Sequence, residues 1–389
     1  MHGNNLPKIV CINHWAQNMG GAEHSLLDML TYMAPKAECH LVTVEPGTLV
    51  EAASQAGVIC HVVPCAMKAR GFLRKNIVRT ILTSLPEIVS FCKYVVLLRI
   101  LIYRIKPQLI HANVPKSHIA LFLLQKTGYR NASVFHIREI FGKGSLPWKA
   151  YKILFSKKNS FVLAISNRVF EMLPPTMQQV GEVVYNGVLI PPKQQRPKYG
   201  TSPFKLCYVG RIVPWKGCDL LITVAAFLKK QSKNSHIVLT LVGDTSYWPL
   251  SYRDELNAMI RSNNLEKNCF IYPNTNDVAS VYASHDVFVN ASLQEPFGRS
   301  IAEAQGAALP VVSFDSGAVS EIVEQGKTGF LIPYGDCGAM GEKILMLRND
   351  PKLCKTLGEN GRERALRLFN RDIQIPLLCK SMIGRAEQC

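Results

Sequence analysis

The sequence has no apolar run able to cross a bilayer. Its strongest, YVVLLRILIY from Tyr94 to Tyr103, is ten residues long and carries Arg99, whereas a spanning helix needs about 20 apolar residues. There is no CxxC pair, and the closest cysteines, Cys60 and Cys65, have no further metal ligands at useful spacing. The 12 cysteines therefore read as buried or incidental thiols of a reducing compartment, not as a disulfide framework or a zinc module. No basic stretch followed by a long apolar core opens the chain, so no secretory signal is expected. Low-complexity tracts and a start-to-finish repeat are missing, and with 48% apolar and 19% charged residues the chain is not a disordered one. There is no Asp-x-Asp pair of the kind that holds a metal against a phosphate.

Acid is scarce, and unevenly so. Residues 1–195 hold 22 Lys/Arg against 9 Asp/Glu, while residues 196–389 hold 23 against 19. The basic excess of the first half points to an anionic partner there, nucleic acid or an anionic membrane surface. At 389 residues the length favours two or three domains.

Two segments open in the same way. PKIVCIN (Pro7–Asn13) is a β-rich run followed by the loop HWAQNMGG and the helically spaced AEHSLLDMLTYMA. FKLCYVG (Phe204–Gly210) is followed by RIVPWKG and CDLLITVAAFLKK. Two strand–loop–helix starts predict two α/β domains with parallel sheets. Further strands are expected at HLVTV, QLIHAN, SVFHI and FVLAIS in the first half. In the second they are expected at HIVLTLVG, CFIYP, DVFVNAS, PVVSF and GFLIP. The proline-rich, polar segment 191–203 reads as the linker. In such folds ligands collect at the carboxyl ends of strands.

Three sites follow from that rule. Gly20 and Gly21, ahead of a helix, let backbone approach a phosphate, or simply form a tight turn. Arg211 and Lys216 follow a strand and suit an anionic leaving group, or are two surface charges beside a turn. In LQEPFGRSIAEAQGAALPVV, Glu295 stands in a loop that Pro296 and Gly298 keep from being helical, and a helix is predicted to start near Arg299–Ser300. Its first N–H groups make an anion site beside Glu295. Ser300 and Glu303 also have capping-box spacing, which would make Glu303 a local staple. GKTG at Gly326–Gly329 lacks P-loop spacing and is rejected.

Taken in order, MGGAEHSLL, PQLIHAN, VFHIRE, LAISNRV, VVYNGV, YVGRIVPWKGCDLLI, LVGD, the Glu–seven–Glu segment and GKTGFLIPYGD resemble glycosyltransferase family 4. These are retaining enzymes with the GT-B fold, two Rossmann-like α/β domains facing across a cleft. The resemblance implies an N-terminal acceptor-binding domain over 1–190, completed by a C-terminal helix from about 370 to 389. It implies a linker at 191–203 and a nucleotide-sugar-binding domain over 204–370. By the same resemblance Glu295 approaches the transferred sugar, the backbone of Phe297, Gly298, Arg299 and Ser300 holds sugar or distal phosphate, and Glu303 takes the ribose hydroxyls. Arg211 and Lys216 bind the departing diphosphate, Gly20 and Gly21 press backbone against it, and His136 projects towards the sugar. Asn186 and Gly187 lie in a turn with a structural role. The chain departs from the family's pattern at Gly317-Ala318, where Gly-Gly is frequent. It departs again at Pro296, where glycine is frequent, and at Arg299, where an apolar residue is frequent. Arg299 would then reach a phosphate or pair with Glu295.

The implied activity is transfer of a sugar from a nucleotide-diphosphate sugar to a glycan or lipid-linked acceptor, in cell-surface polysaccharide or glycolipid synthesis. No cofactor or metal is expected. Retention would proceed by front-face substitution or through a covalent carboxylate intermediate. Residues 66–106 carry nine Lys/Arg and one acid, Glu87, with Ile77, Val78, Ile81, Leu82, Leu85, Ile88 and Val89 at helical spacing. They suggest a basic amphipathic helix on an anionic membrane, and hence a cytoplasmic protein peripheral to the membrane's cytoplasmic face. The bland reading is a core face with solvated charges. Nucleic acid is not expected as a partner, since no binding motif accompanies the charge. The alternatives are a non-catalytic nucleotide-sugar-binding relative, a nucleotide-sugar epimerase, or a phosphorylase of similar architecture.

Overall fold

The computed structural model describes residues 6–17, 19–65, 77–192, 203–231, 237–244 and 250–387, without the side chains of 77–85 and 250. The chain divides into two compact units. The first comprises Met1–Ile165, Val169–Val184 and Ile375–Cys389, and the second Ser166–Arg168 and Tyr185–Gln374. Tyr185–Ile190, which the sequence reading gives to the first domain, belongs to the second. The proposed linker lies almost wholly outside the described residues.

The first unit is built on a seven-stranded sheet. Its strands are β1 (Lys8–Ile12), β2 (Glu38–Thr43), β3 (Ile59–Val62), β4 (Leu109–Ala112), β5 (Ala132–Ile137), β6 (Ser160–Ala164) and β7 (Gly181–Val183), in the order β3-β2-β1-β4-β5-β6-β7. Every pairing is parallel. Strands covered on both faces are continuous apolar runs, and β1, β4, β5 and β6 are buried almost throughout. The two strands that the sequence reading does not name, β3 and β7, are the edges of this sheet. Both are short and half exposed, so neither carries a run of that kind.

The C-terminal helix Arg371–Glu387, which contains Pro376, begins in the second unit and ends in the first. There Ile375, Leu378, Cys379, Met382 and Ala386 join a core with Leu26, Met29 and Leu30. The Arg385 guanidinium lies 3.3 Å from the centre of the Phe161 ring.

Among its described residues the second unit has a six-stranded sheet: β8 (Phe204–Val209), β9 (Ile237–Val242), β10 (Cys269–Tyr272), β11 (Val287–Asn290), β12 (Val311–Phe314) and β13 (Gly329–Ile332), in the order β10-β9-β8-β11-β12-β13. All pairings are again parallel. Its core gathers Leu206, Tyr208, Leu239, Val289 and Phe314 from the sheet with Leu221, Ile222, Ile344 and Leu347 from helices. Each such side chain contributes roughly 1.5–3 kcal/mol by leaving water. In both units the strand order reverses once, at β1/β4 and at β8/β11. A crevice opens at such a point beyond the strand ends.

Candidate functional site

In the second unit the reversal lies between the loops that follow β8 and β11, and the structure brings Lys216 and Glu295 together there. Lys216 Nζ lies 2.5 Å from Glu295 Oε2, with the two side chains 17% and 12% exposed. Two glycines set this pair. Gly217 follows Lys216 in the left-handed region (φ 68°), where a Cβ would stand 2.2 Å from the Ala291 carbonyl oxygen. Gly317, also left-handed (φ 61°), packs against Glu295 so closely that a Cβ would stand 2.2 Å from its carbonyl oxygen and 2.6 Å from its nitrogen. Only glycine meets both demands.

Hydrogen bonds complete the mount. Leu293 N donates to Trp215 O at 2.9 Å and Ala318 N to Glu295 O at 2.8 Å. Below them Ser292 Oγ donates to Asn290 Oδ1, Asn290 Nδ2 to Ser313 Oγ, and Ser316 Oγ to Ser292 O. Ser166 Oγ donates to Pro296 O at 2.6 Å. The amide of Ala318, at the departure from Gly-Gly, is thus engaged by the Glu295 backbone. Arg211 opens the same loop as Lys216 and is exposed, and its carbonyl accepts from Tyr208 Oη at 3.0 Å.

The helix after Glu295 runs Arg299–Gly306 with Gly298 as its N-cap. Ile301 N and Ala302 N both donate to Gly298 O. Ser300 is therefore inside the first turn, and the capping box between Ser300 and Glu303 does not form. Glu303 has other partners: Tyr282 Oη donates to its Oε2 at 3.2 Å, and Arg299 lies 3.7 Å from its Oε1. Arg299 also donates to Gly187 O at 3.4 Å. The Phe297 side chain is core, its ring clustered with those of Tyr185 and Phe369 at centroid distances of 6.0 and 5.6 Å. Asn186 is buried, and the turn it shares with Gly187 is anchored by hydrogen bonds from Val188 N to Phe369 O and from Arg371 N to Val188 O.

In the first unit the reversal is lined by polar groups of another kind. Asn13 follows β1 and Asn113 follows β4, and Asn113 Nδ2 donates to Asn13 Oδ1 at 3.0 Å across it. Asn13 Nδ2 donates to Trp15 O and reaches Glu23 Oε1 at 3.5 Å, while Glu23 Oε2 accepts from Gly20 N at 3.0 Å. The glycine loop is thus fixed by a buried carboxylate. Arg138, just past β5, donates Nε–H to Asn113 Oδ1 at 2.8 Å and lies 3.3 Å from His136 Nδ1 through a terminal nitrogen. His111 Nε2 lies 3.1 Å from the same Nδ1. His136 is 1% exposed, and burial first, then the Arg138 guanidinium and the rings of His111 and His118, hold its pKa well below the usual histidine value.

Asn13, Asn113, His111 and Arg138 are residues that the sequence reading does not single out. The signal was an asparagine directly after two apolar runs, CIN and HAN, which strand pairing makes neighbours. Among the described residues no group of three or more His, Cys, Asp or Glu is placed to hold a metal ion. No described helix is long and apolar enough to cross a membrane.

Residues 190–364 match the family model of glycosyl transferases group 1. The chain is 34% identical over 170 residues to the capsular polysaccharide biosynthesis glycosyltransferase CapM of Staphylococcus aureus, covering 44% of this chain and 43% of CapM. It is 30% identical over 177 residues to the poly(ribitol-phosphate) alpha-N-acetylglucosaminyltransferase of Staphylococcus aureus strain COL, covering 45% of this chain and 34% of that one. The chain thus spans less than half the length of these two curated relatives. Among solved structures, Anabaena HepE in complex with UDP and glucose superimposes with a TM-score of 0.77 at 22% identity, over 96% of this chain and 99% of that one. The two parallel-sheet units form the GT-B glycosyltransferase fold.

Proposed function

We propose that this protein is a retaining glycosyltransferase of family 4 that moves a sugar from a nucleotide-diphosphate sugar to a glycan or lipid-linked acceptor in the synthesis of a cell-surface polysaccharide or glycolipid. The observation that carries the reading is the Lys216–Glu295 pair at the second unit's strand reversal, ahead of a helix N-terminus. Glycosyl transfer develops positive charge at the anomeric carbon and negative charge on the departing diphosphate. A fixed cation and helix N–H groups stabilise the second without reorganisation, and a carboxylate beside the sugar serves the first.

In the proposed reaction the bond from the anomeric carbon to the diphosphate breaks with its electron pair on phosphate oxygen. The acceptor hydroxyl oxygen bonds to the same face, and its proton passes to the departing phosphate. Lys216 and Arg211 hold the diphosphate, Glu295 faces the sugar, the backbone from Phe297 to Ser300 holds the sugar or distal phosphate, and Glu303 takes the ribose hydroxyls. His136 and the Gly20–Gly21 loop are assigned to the same reaction by the resemblance alone, and no metal is invoked.

The experiment is a panel of UDP-, GDP- and ADP-sugars with membrane extract, UDP-sugars first because HepE holds UDP and glucose. Labelled sugar in the lipid or polysaccharide fraction, lost by at least about 100-fold in Glu295→Gln, is the expected outcome. Turnover of a donor without acceptor would indicate an epimerase, and binding without any turnover a non-catalytic relative.

The acceptor's membrane is proposed to be met by the first unit, whose helix Ile77–Ile105 exposes Val96, Leu97, Ile100 and Tyr103 beside Lys93, Arg99 and Arg104. Residues 66–76 and the side chains of 77–85, part of the basic segment read from the sequence, lie outside the described residues. The protein should float with anionic vesicles and release in salt; equal flotation with neutral vesicles would sink the electrostatic account.

A further inference from the structure

His136 Nδ1 has two neighbours with different capacities. His111 Nε2, at 3.1 Å, belongs to a ring that can either donate or accept there. An isolated His–His hydrogen bond therefore has two equivalent forms. In one His136 carries its proton on Nε2 and accepts from His111; in the other it carries the proton on Nδ1 and donates. The Arg138 terminal nitrogen, at 3.3 Å, has no such freedom, because a guanidinium only donates. Arg138 is itself oriented. Its Nε–H donates to Asn113 Oδ1, Asn113 donates to Asn13, and Asn13 reaches the Glu23 carboxylate, which accepts from Gly20. Every bond of this chain runs in one direction, and its terminus is a carboxylate that only accepts.

We propose that Arg138 is a positioning residue that breaks the tautomeric symmetry of the His111–His136 pair, so that His136 presents Nε2–H as a hydrogen-bond donor to a substrate hydroxyl and does not act as a proton acceptor. A second observation points to a ligand. His136 Nε2 is buried and has no hydrogen-bond partner among the described residues. His118, also buried, differs: its Nε2 lies 3.1 Å from the Ala112 carbonyl and its Nδ1 2.5 Å from the Tyr151 hydroxyl, so both ring nitrogens are engaged. The titratable and charged groups around His136 are Arg138 beyond the end of β5, His111 on β4 and His118 on the helix Pro115–Lys126, with Tyr151 beyond His118. The proposal rests on the glycosyl-transfer reading for the identity of the hydroxyl, but not for the tautomer.

The test is a long-range proton–nitrogen correlation spectrum of the full chain carrying nitrogen-labelled histidine, with His136 assigned by its loss in His136→Gln. The wild type should show one tautomer, protonated on Nε2. Arg138→Met should show a mixture, with a gain of an acid limb in the pH profile and a fall in transfer of about tenfold, the worth of one hydrogen bond. Arg138→Lys, which keeps a donor-only cation, should retain the single tautomer. A wild-type His136 protonated on Nδ1, or an Arg138→Met protein that keeps the pure Nε2–H form, would overturn the proposal. The wild-type spectrum decides it even where Arg138→Met does not fold. Tautomers as stated in a protein that turns over no nucleotide sugar would uphold the Arg138 role and sink the transfer reading.

Discussion

The two units place different chemistry at the same topological position. Where β8 gives way to β11, the crevice holds opposite charges, Lys216 against Glu295, mounted on glycine-tight backbone. Where β1 gives way to β4, it holds asparagines, histidines and one arginine joined donor to acceptor, with Glu23 at the end of the chain. One reversal sets a fixed cation against a carboxylate. The other is a network of hydrogen bonds between largely uncharged side chains. Parallel strand order supplies the crevice, and the residues just past the strand ends decide its use.

The difference predicts its own largest effect in acid. Burial first of all depresses the pKa of His14, to about 4, and of His118, to about 3, and holds His111 and His136 well below their usual value. All four lie in the first unit. In the unfolded chain each takes up a proton near 6.5, which the folded state refuses until lower pH. Their contribution to stability is therefore complete above that value and falls with pH below it, at about 1.4 kcal/mol per pH unit for each group. Urea unfolding read by hydrogen exchange at pH 7 and pH 5.5 should show the first unit losing several kcal/mol and the second much less. Equal losses in both would remove the histidines as the cause.

A second test strikes the other reversal. Gly317→Ala places a methyl group against the Glu295 backbone, in a conformation that alanine disfavours. It should cost the second unit ~3 kcal/mol and most of the activity, while exchange protection of the first unit stays as it was. A stable, fully active Gly317→Ala protein would show that the Glu295 loop has slack.

The smallest effect concerns Glu303. Gln fits the same space and still accepts from Tyr282, losing only the ion pair with Arg299, so stability should change by less than about 1 kcal/mol. With a ribose role, donor affinity measured by calorimetry should fall about tenfold. Unchanged affinity would leave Glu303 as a partner of Tyr282 and Arg299.

The strands of the second sheet are all legible as apolar runs, and so are the non-helical loop at Glu295 and the helix start after it, because Pro296 and Gly298 punctuate them locally. What is not legible is what long-range pairing creates. Asn13 and Asn113 are a hundred residues apart in the chain and become neighbours only because β4 pairs with β1. Ser300 misleads for a local reason: its spacing to Glu303 suits a capping box, but the left-handed Gly298 starts the helix ahead of it.

The C-terminal helix carries a consequence for handling the protein. Its first residues belong to the second unit and the rest complete the core of the first, around Leu26 and Met29. The units are therefore not separable cassettes. A fragment ending after β7 would leave that apolar surface open to water and to other chains, and the cut that looks natural in the linker would divide the chain without dividing the fold.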